Sequence, residues 1–208
     1  PRVGAARCAW PTMFNTKFGI GADLVVIPAA HRKRSQWFTD TGLPWVNPSP
    51  NLRSPAALND YPGTVYFEGT NVTEGRGTDR PFEQVGASWL DAPAVVRTMN
   101  APQLPAIRFE AITMPVAKSA AKYPGQVIPA IRFVITDRET YRPVSTALIL
   151  IDEIRRQHPT DFKWGPSIDR LTGSDKARKA IDAGTLPARL AEWDRVAAQF
   201  KQDRVPYL

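Results

Sequence analysis

The stretch from Tyr66 to Glu83 reads YFEGTNVTEGRGTDRPFE and gathers three glutamates, two arginines and an asparagine among threonines and glycines. Carboxylates and guanidinium groups that converge on one point can hold a polar ligand, the arginines capturing an anionic group through paired hydrogen bonds. Gly69, Gly75 and Gly77 permit the tight backbone turns that such convergence requires. The spacing of Glu68, Glu74 and Glu83 fits neither one helix face nor one strand face, so these acids meet only if the loop folds back on itself. The plainer alternative is a solvated turn. In it, Asn71 and the threonines bond their own backbone, and Arg76 and Arg80 neutralise Glu74 and Glu83 in surface pairs worth about 0–1 kcal/mol.

Two other segments carry polar groups on stiff backbone. In GLPWVNPSPN, Gly42 to Asn51, three prolines present Trp45, Asn47, Ser49 and Asn51. An aromatic face beside amide and hydroxyl groups suits a sugar, and a buried Trp anchoring a rigid loop is the equal alternative. Thr136-Asp137-Arg138 closes the longest strand-like run, where Asp137 either faces a ligand or caps the following turn.

The elements that must position these residues follow from periodicity. Ala22 to Pro28 and Thr64 to Glu68 are β-branched runs beside turn residues, Ile107 to Thr113 alternates, and Val127 to Thr136 places Ile131, Phe133 and Ile135 on one face; these predict four strands of one sheet. From Pro143 an apolar stripe at helical spacing runs to Ile154, followed by Arg155, Arg156 and a helix-capping His158. Further helices are predicted at Ala92 to Met99, from Ser174 through Ile181 to a stop at Gly184, and along the stripe Leu186, Leu190, Trp193, Ala197 and Phe200. Strands first and helices last predict one α+β domain, a small mixed sheet with C-terminal helices.

Composition narrows the function classes. The 208 residues suffice for a sizeable core, and the 20 prolines are scattered, as in a domain of short elements and rigid loops. A net charge of +7 favours an anionic partner. The run His31-Arg32-Lys33-Arg34 beside Trp37 and Phe38 admits a nucleic-acid reading, although no nucleic-acid motif surrounds it and a solvated loop is commoner. One cysteine, Cys8, excludes an intramolecular disulfide, and two histidines without ligand spacing argue against a zinc site. No metal, cofactor or membrane span is expected.

The order of GIGADLVVIP, RSQWFTDTGLPWVNPSPN, YPGTVYFEGTNVTEGRGTDRPFEQVGASWLD, ITDRETYRPV and IDRLTG closely resembles the C-terminal half of the exo-acting β-N-acetylmuramidases, a glycoside hydrolase family long catalogued as a domain of unknown function. The resemblance runs from about Met13 to Leu208, making residues 13–208 a C-terminal, auxiliary domain and residues 1–12 an atypical start. It implies a partner domain, absent here, that is Rossmann-like and carries a catalytic Glu in a Gly-Pro-Glu-His-Gly motif. It implies release of N-acetylmuramic acid from the non-reducing end of peptidoglycan fragments in a cleft between the two domains, and an extracellular or periplasmic place of action. An export signal is not observable in a chain that begins at Pro1.

Carried over by position, the signature block contributes Glu68, Thr70, Asn71, Glu74, Arg76, Thr78, Arg80 and Glu83, the proline-rich loop contributes Ser49 and Asn51, and Arg34 matches a basic position. Glycosidic cleavage commonly needs one carboxylic acid and one carboxylate. If the partner domain supplies one, Glu74 or Glu68 is the candidate for the other; Glu74 is favoured because neighbouring glycines and Arg76 let it project. Arg76, or failing it Arg80, would hold the lactyl carboxylate of the substrate, with Asn71, Thr70, Thr78, Glu83, Ser49 and Asn51 as further contacts. The alternative is a non-catalytic sugar-recognition or lid domain, and a basic nucleic-acid-binding module is the third reading. Alone, the chain is expected to be inactive.

Overall fold

The computed structural model describes residues 9–27, 30, 31, 33, 35–101 and 104–207. The helices are α1 (Ala9–Lys17), α2 (Ala57–Thr64), α3 (Ala92–Asn100), α4 (Pro143–Gln157), α5 (Ile168–Leu171), α6 (Lys176–Asp182) and α7 (Leu186–Asp203), and the strands β1 (Gln84–Gly86), β2 (Ile107–Pro115) and β3 (Val127–Ile135). The chain divides into two compact units. One holds residues up to Pro44 and from Pro187 onward, the other Trp45–Leu186.

In the first unit an aromatic row joins α1 to α7. Trp10 stacks on Phe14 at 5.8 Å and on Phe200 at 5.3 Å, and Phe14 stacks on Phe18 at 5.4 Å. The strand expected at Ala22 to Pro28 is not formed over its described residues, and Pro28 lies outside them. The Asn15 side chain brackets Ala22, accepting from its N–H at 2.8 Å and donating to its C=O at 2.9 Å. Val25 and Ile27 beyond it are 83% and 85% exposed, and among the described residues of this unit there is no sheet for the β-branched run to enter. Of the α7 stripe only Leu186 is buried; Leu190, Trp193 and Phe200 are half-buried and Ala197 is exposed. Most of the atypical start, with Cys8, Arg32 and Arg34, lies outside the described residues, while His31 and Lys33 are exposed.

The second unit is α+β. Its sheet has the order β1-β3-β2 and is antiparallel throughout, where a mixed sheet was expected. The β2–β3 register opposes Phe109 to Phe133, whose rings meet edge-on at 5.3 Å. Such cross-strand aromatic pairs are what fix register. Helix α4 buries Ala147, Leu148, Leu150, Ile151 and Ile154, and α3 adds Val95 and Met99. His158 is the C-cap of α4, its backbone N–H donating to the Ile154 carbonyl at 2.9 Å, while its Nε2 accepts the Asp91 N–H at 3.2 Å and its ring lies 5.3 Å from that of Trp89.

Thr64 to Glu68 is not a strand. Thr64 ends α2, and Val65–Gly69 continues it as a 3-10 turn. Pro62 and Gly63, which read as a turn, are inside the helix. A Cβ on Gly63 would lie 2.0 Å from the Pro143 carbonyl oxygen, so this glycine lets α2 pack directly onto the start of α4. Tertiary contact, not turn chemistry, placed it there.

Candidate functional site

The loop from Thr70 to Glu83 does fold back on itself. Thr73 and Gly86 exchange both backbone hydrogen bonds, at 2.8 and 3.0 Å, and the Phe82 N–H donates to the Glu74 carbonyl at 2.8 Å. Gly75 turns at φ +79°, where a Cβ would meet the Gln84 carbonyl oxygen at 2.9 Å. Phe82 adopts φ +69° although it has a large side chain. Such a conformation costs about 1–3 kcal/mol and persists where packing over-determines it. Here Phe82 is buried, with the Tyr61 ring edge-on at 4.9 Å and the Arg76 guanidinium 5.4 Å from its centroid.

Glu74 does not project. It is 4% exposed, and its two oxygens are taken by Arg76 Nε at 3.1 Å and Lys122 Nζ at 3.3 Å. Lys122 also donates to the carbonyls of Phe67 at 2.9 Å and Val72 at 2.8 Å, which uses all three of its protons. Burial pulls the Lys122 ammonium below its ordinary pKa, against the attraction of Glu74. The far end of Arg76 reaches Glu68 at 2.5 Å. Arg76 is thus committed to two carboxylates, one buried and one partly exposed.

The other expected contacts divide in two. Thr70 donates to the Phe67 carbonyl at 2.9 Å, and the Asn71 side chain clamps Asp161 and Lys163 backbone at 2.8 and 2.9 Å; both support the loop from within. Thr78 donates to the Gly75 carbonyl at 2.6 Å and accepts from Gln84 Nε2 at 2.9 Å. Ser49 and Asn51 form a local turn, the Asn51 N–H reaching Ser49 Oγ at 3.4 Å, beside a half-buried Trp45. Neither these five residues nor Glu68, Glu74 and Arg76 line the cavity on which the remaining pair, Arg80 and Glu83, opens.

Arg80 and Glu83 open on a cavity of about 770 Å³ within the second unit. Its other charged walls are Asp60 from α2, Arg132 from β3 and Asp137, Arg138 and Glu139 after β3. Arg80 holds Glu83 only loosely, at 3.7 Å, while Ser54 Oγ donates to Glu83 at 3.0 Å. Arg132 Nη2 reaches Gln84 Oε1 at 3.4 Å, and its Nε is buried without a partner. Through Gln84 and Thr78 the cavity wall is therefore tied to the folded loop. Of the two readings of Asp137, the turn cap is formed. Asp137 lines the cavity and caps the next turn, where donation from Thr140 Oγ1 at 2.7 Å and the Glu139 N–H holds its carboxyl below the ordinary value.

Asp60 is the residue that sequence reading passed over. It is 3% exposed, and Tyr141 Oη donates to its Oδ1 at 2.8 Å. Burial pushes its carboxyl up from 3.8 to about 8; the phenol opposes this and the charge of Glu83 adds to it. A signal existed: Ala57, Asp60, Gly63 and Thr64 form the buried face of α2, so the acid sits on an apolar stripe at helical spacing. Taking Thr64 to Glu68 as a strand hid it. Arg132, a cation in the central strand of the sheet, carried a similar signal.

Among the described residues no group of three or more His, Cys, Asp or Glu side chains could hold a metal ion, and no helix is long and apolar enough to cross a membrane. The cavity instead offers guanidinium groups, carboxyls and strand-end backbone, which suits an organic polar ligand.

Comparison with known proteins is consistent along the chain. The family model for the C-terminal part of the exo-beta-N-acetylmuramidase NamZ matches residues 59–208, and that for its N-terminal part matches residues 4–56. The peptidoglycan beta-N-acetylmuramidase NamZ of Bacillus subtilis (strain 168) is 35% identical over 200 residues, covering 95% of this chain and 48% of the relative. The chain spans about half the length of this curated relative. A crystal structure of a DUF1343 family protein from Bacteroides fragilis superposes with a TM-score of 0.86 at 17% identity, over 96% of this chain and 54% of that one. A second from the same organism gives 0.63 at 26% identity, over 97% and 54%. The first shows the fold, and the sequence matches show the lineage: the chain belongs to the NamZ exo-beta-N-acetylmuramidase family.

Proposed function

We propose that this chain is the part of a glycoside hydrolase that recognises N-acetylmuramic acid at the non-reducing end of peptidoglycan fragments, forming one wall of the active-site cleft. The observation that carries the reading is the cavity, where Arg80 and Arg132 stand beside Asp60 and Glu83 in the region matched by the C-terminal family model. N-acetylmuramic acid differs from N-acetylglucosamine by a lactyl ether that ends in a carboxylate. A guanidinium held only loosely by the protein can exchange its partner for that group. Arg80 meets this condition, with its nearest carboxylates at 3.7 and 3.9 Å. Arg76 does not, because Glu68 and Glu74 already occupy it.

The same geometry favours recognition over chemistry for the loop acids. Glu74 between Arg76 and Lys122 would have to break a buried ion pair before it could act on a substrate, so it serves as the anchor that fixes the loop. Glu68 orients Arg76 from the other side. The second carboxyl of the reaction then comes from outside this chain's folded loop, and a cell-wall substrate puts the place of action outside the cytoplasmic membrane. Calorimetric titration of the chain with N-acetylmuramic acid and with N-acetylglucosamine tests the reading. Binding of the acid at least tenfold tighter is expected, since a charged hydrogen bond contributes about 1.5–3 kcal/mol. Equal affinity for the two sugars would overturn it.

A further inference from the structure

The cavity contains a carboxyl that no cation serves. Among the described residues the hydrogen bond to Asp60 comes from Tyr141, a neutral phenol, and no ammonium or guanidinium lies within salt-bridge distance. A carboxylate 3% exposed and without a cation is strongly disfavoured against its neutral form. The surrounding charge acts in the same direction. Glu83 is the anion that bears on Asp60 from the loop before β1, and Tyr141, just before α4, gives no compensating charge.

The cavity's charge balance turns on this one proton. Its walls carry three arginines, Arg80, Arg132 and Arg138, against three other acids, Glu83, Asp137 and Glu139. Ionising Asp60 would add a buried negative charge to the wall that an anionic sugar must approach.

We infer that Asp60 takes part in ligand binding as a neutral carboxylic acid, donating a hydrogen bond to the carboxylate of the anionic sugar held by Arg80, and that it thereby sets the charge specificity of the cavity. This rests on the reading of the cavity as the muramyl site. Binding of the anionic ligand is then linked to retention of the Asp60 proton. The lactyl carboxylate is ionised throughout the neutral and alkaline range, so the pH dependence belongs to the protein. His158, the described histidine of this unit, is bonded to Asp91 and does not line the cavity.

The experiment is a calorimetric titration of the whole chain with N-acetylmuramic acid from pH 6 to pH 9.5. With the Asp60 carboxyl at about 8, affinity is expected to hold to about pH 7 and to fall roughly tenfold by pH 9. Asp60→Asn keeps a donor without the titration and is expected to flatten the profile. Tyr141→Phe removes the hydrogen bond that favours the ionised form, so the fall moves to higher pH; this arm stands if Asp60→Asn does not fold. Binding that is independent of pH in the wild-type chain overturns the inference and leaves the cavity reading in place. So does an Asp60→Asn profile that keeps the wild-type fall. Absence of binding at pH 6 overturns both.

Discussion

Tyr141 Oη donates to Asp60 Oδ1 at 2.8 Å, joining the residue just before α4 to the buried face of α2. Because burial outweighs this bond, the folded protein holds the Asp60 proton at pH values where an unfolded chain releases it. A raised acid pKa contributes stability that is fully present below the unfolded value of 3.8 and is lost progressively up to about 8. Unfolding free energy is thus expected to fall between about pH 4 and pH 8 with a slope approaching about 1.4 kcal/mol per pH unit from this one group. Asp60→Asn should remove that slope in urea titrations, with its advantage over the wild type largest at pH 8. An identical pH dependence for the two proteins would show that Asp60 ionises normally in the fold.

The Glu74–Lys122 pair makes a different prediction. Glu74→Ala leaves the Lys122 ammonium buried opposite no carboxylate, which is expected to cost about 3–5 kcal/mol. Glu74→Leu with Lys122→Met should recover much of that loss, because neither charge then remains buried. Chemical denaturation of the single and double variants reads this directly. A loss below about 1 kcal/mol for Glu74→Ala would place Glu74 in a solvated environment and restore it as a candidate reacting group.

Gly63 and Gly184 separate two reasons for a glycine. A methyl group on Gly63 runs into the Pro143 carbonyl oxygen at 2.0 Å, and backbone must move. Gly184 has φ +67° and open space around it. Gly63→Ala is therefore expected to destabilise by more than about 3 kcal/mol and Gly184→Ala by about 1 kcal/mol. Denaturant midpoints in the reverse order would contradict the packing of α2 on α4.

The sequence was legible where local preference and tertiary demand agree. Pro143 at the start of α4, the alternation through Ile107 to Thr113 and the apolar run from Val127 all gave the observed elements within a residue or two. It was not legible at Thr64 to Glu68, where β-branched and aromatic residues are carried into helix by the contact that Gly63 permits. The same limit applied to the site. The loop's glycines and polar residues announced a folded-back structure, but partner choice depends on Lys122, 48 residues downstream of Glu74, and no spacing rule connects them. Asp60 was hidden because reading Thr64 to Glu68 as a strand concealed the buried face of α2 on which it sits.

Arg80 and Arg76 are four residues apart and are assigned opposite roles, which their variants separate. The measurement is the affinity of N-acetylmuramic acid for the wild-type chain, Arg80→Gln and Arg76→Gln at pH 6.5, each variant first shown to be folded by circular dichroism. A loss of tenfold or more is expected for Arg80→Gln and a change below about threefold for Arg76→Gln, in keeping with about 1.5–3 kcal/mol for a charged hydrogen bond. Undiminished binding by Arg80→Gln, or a loss confined to Arg76→Gln, would contradict these assignments.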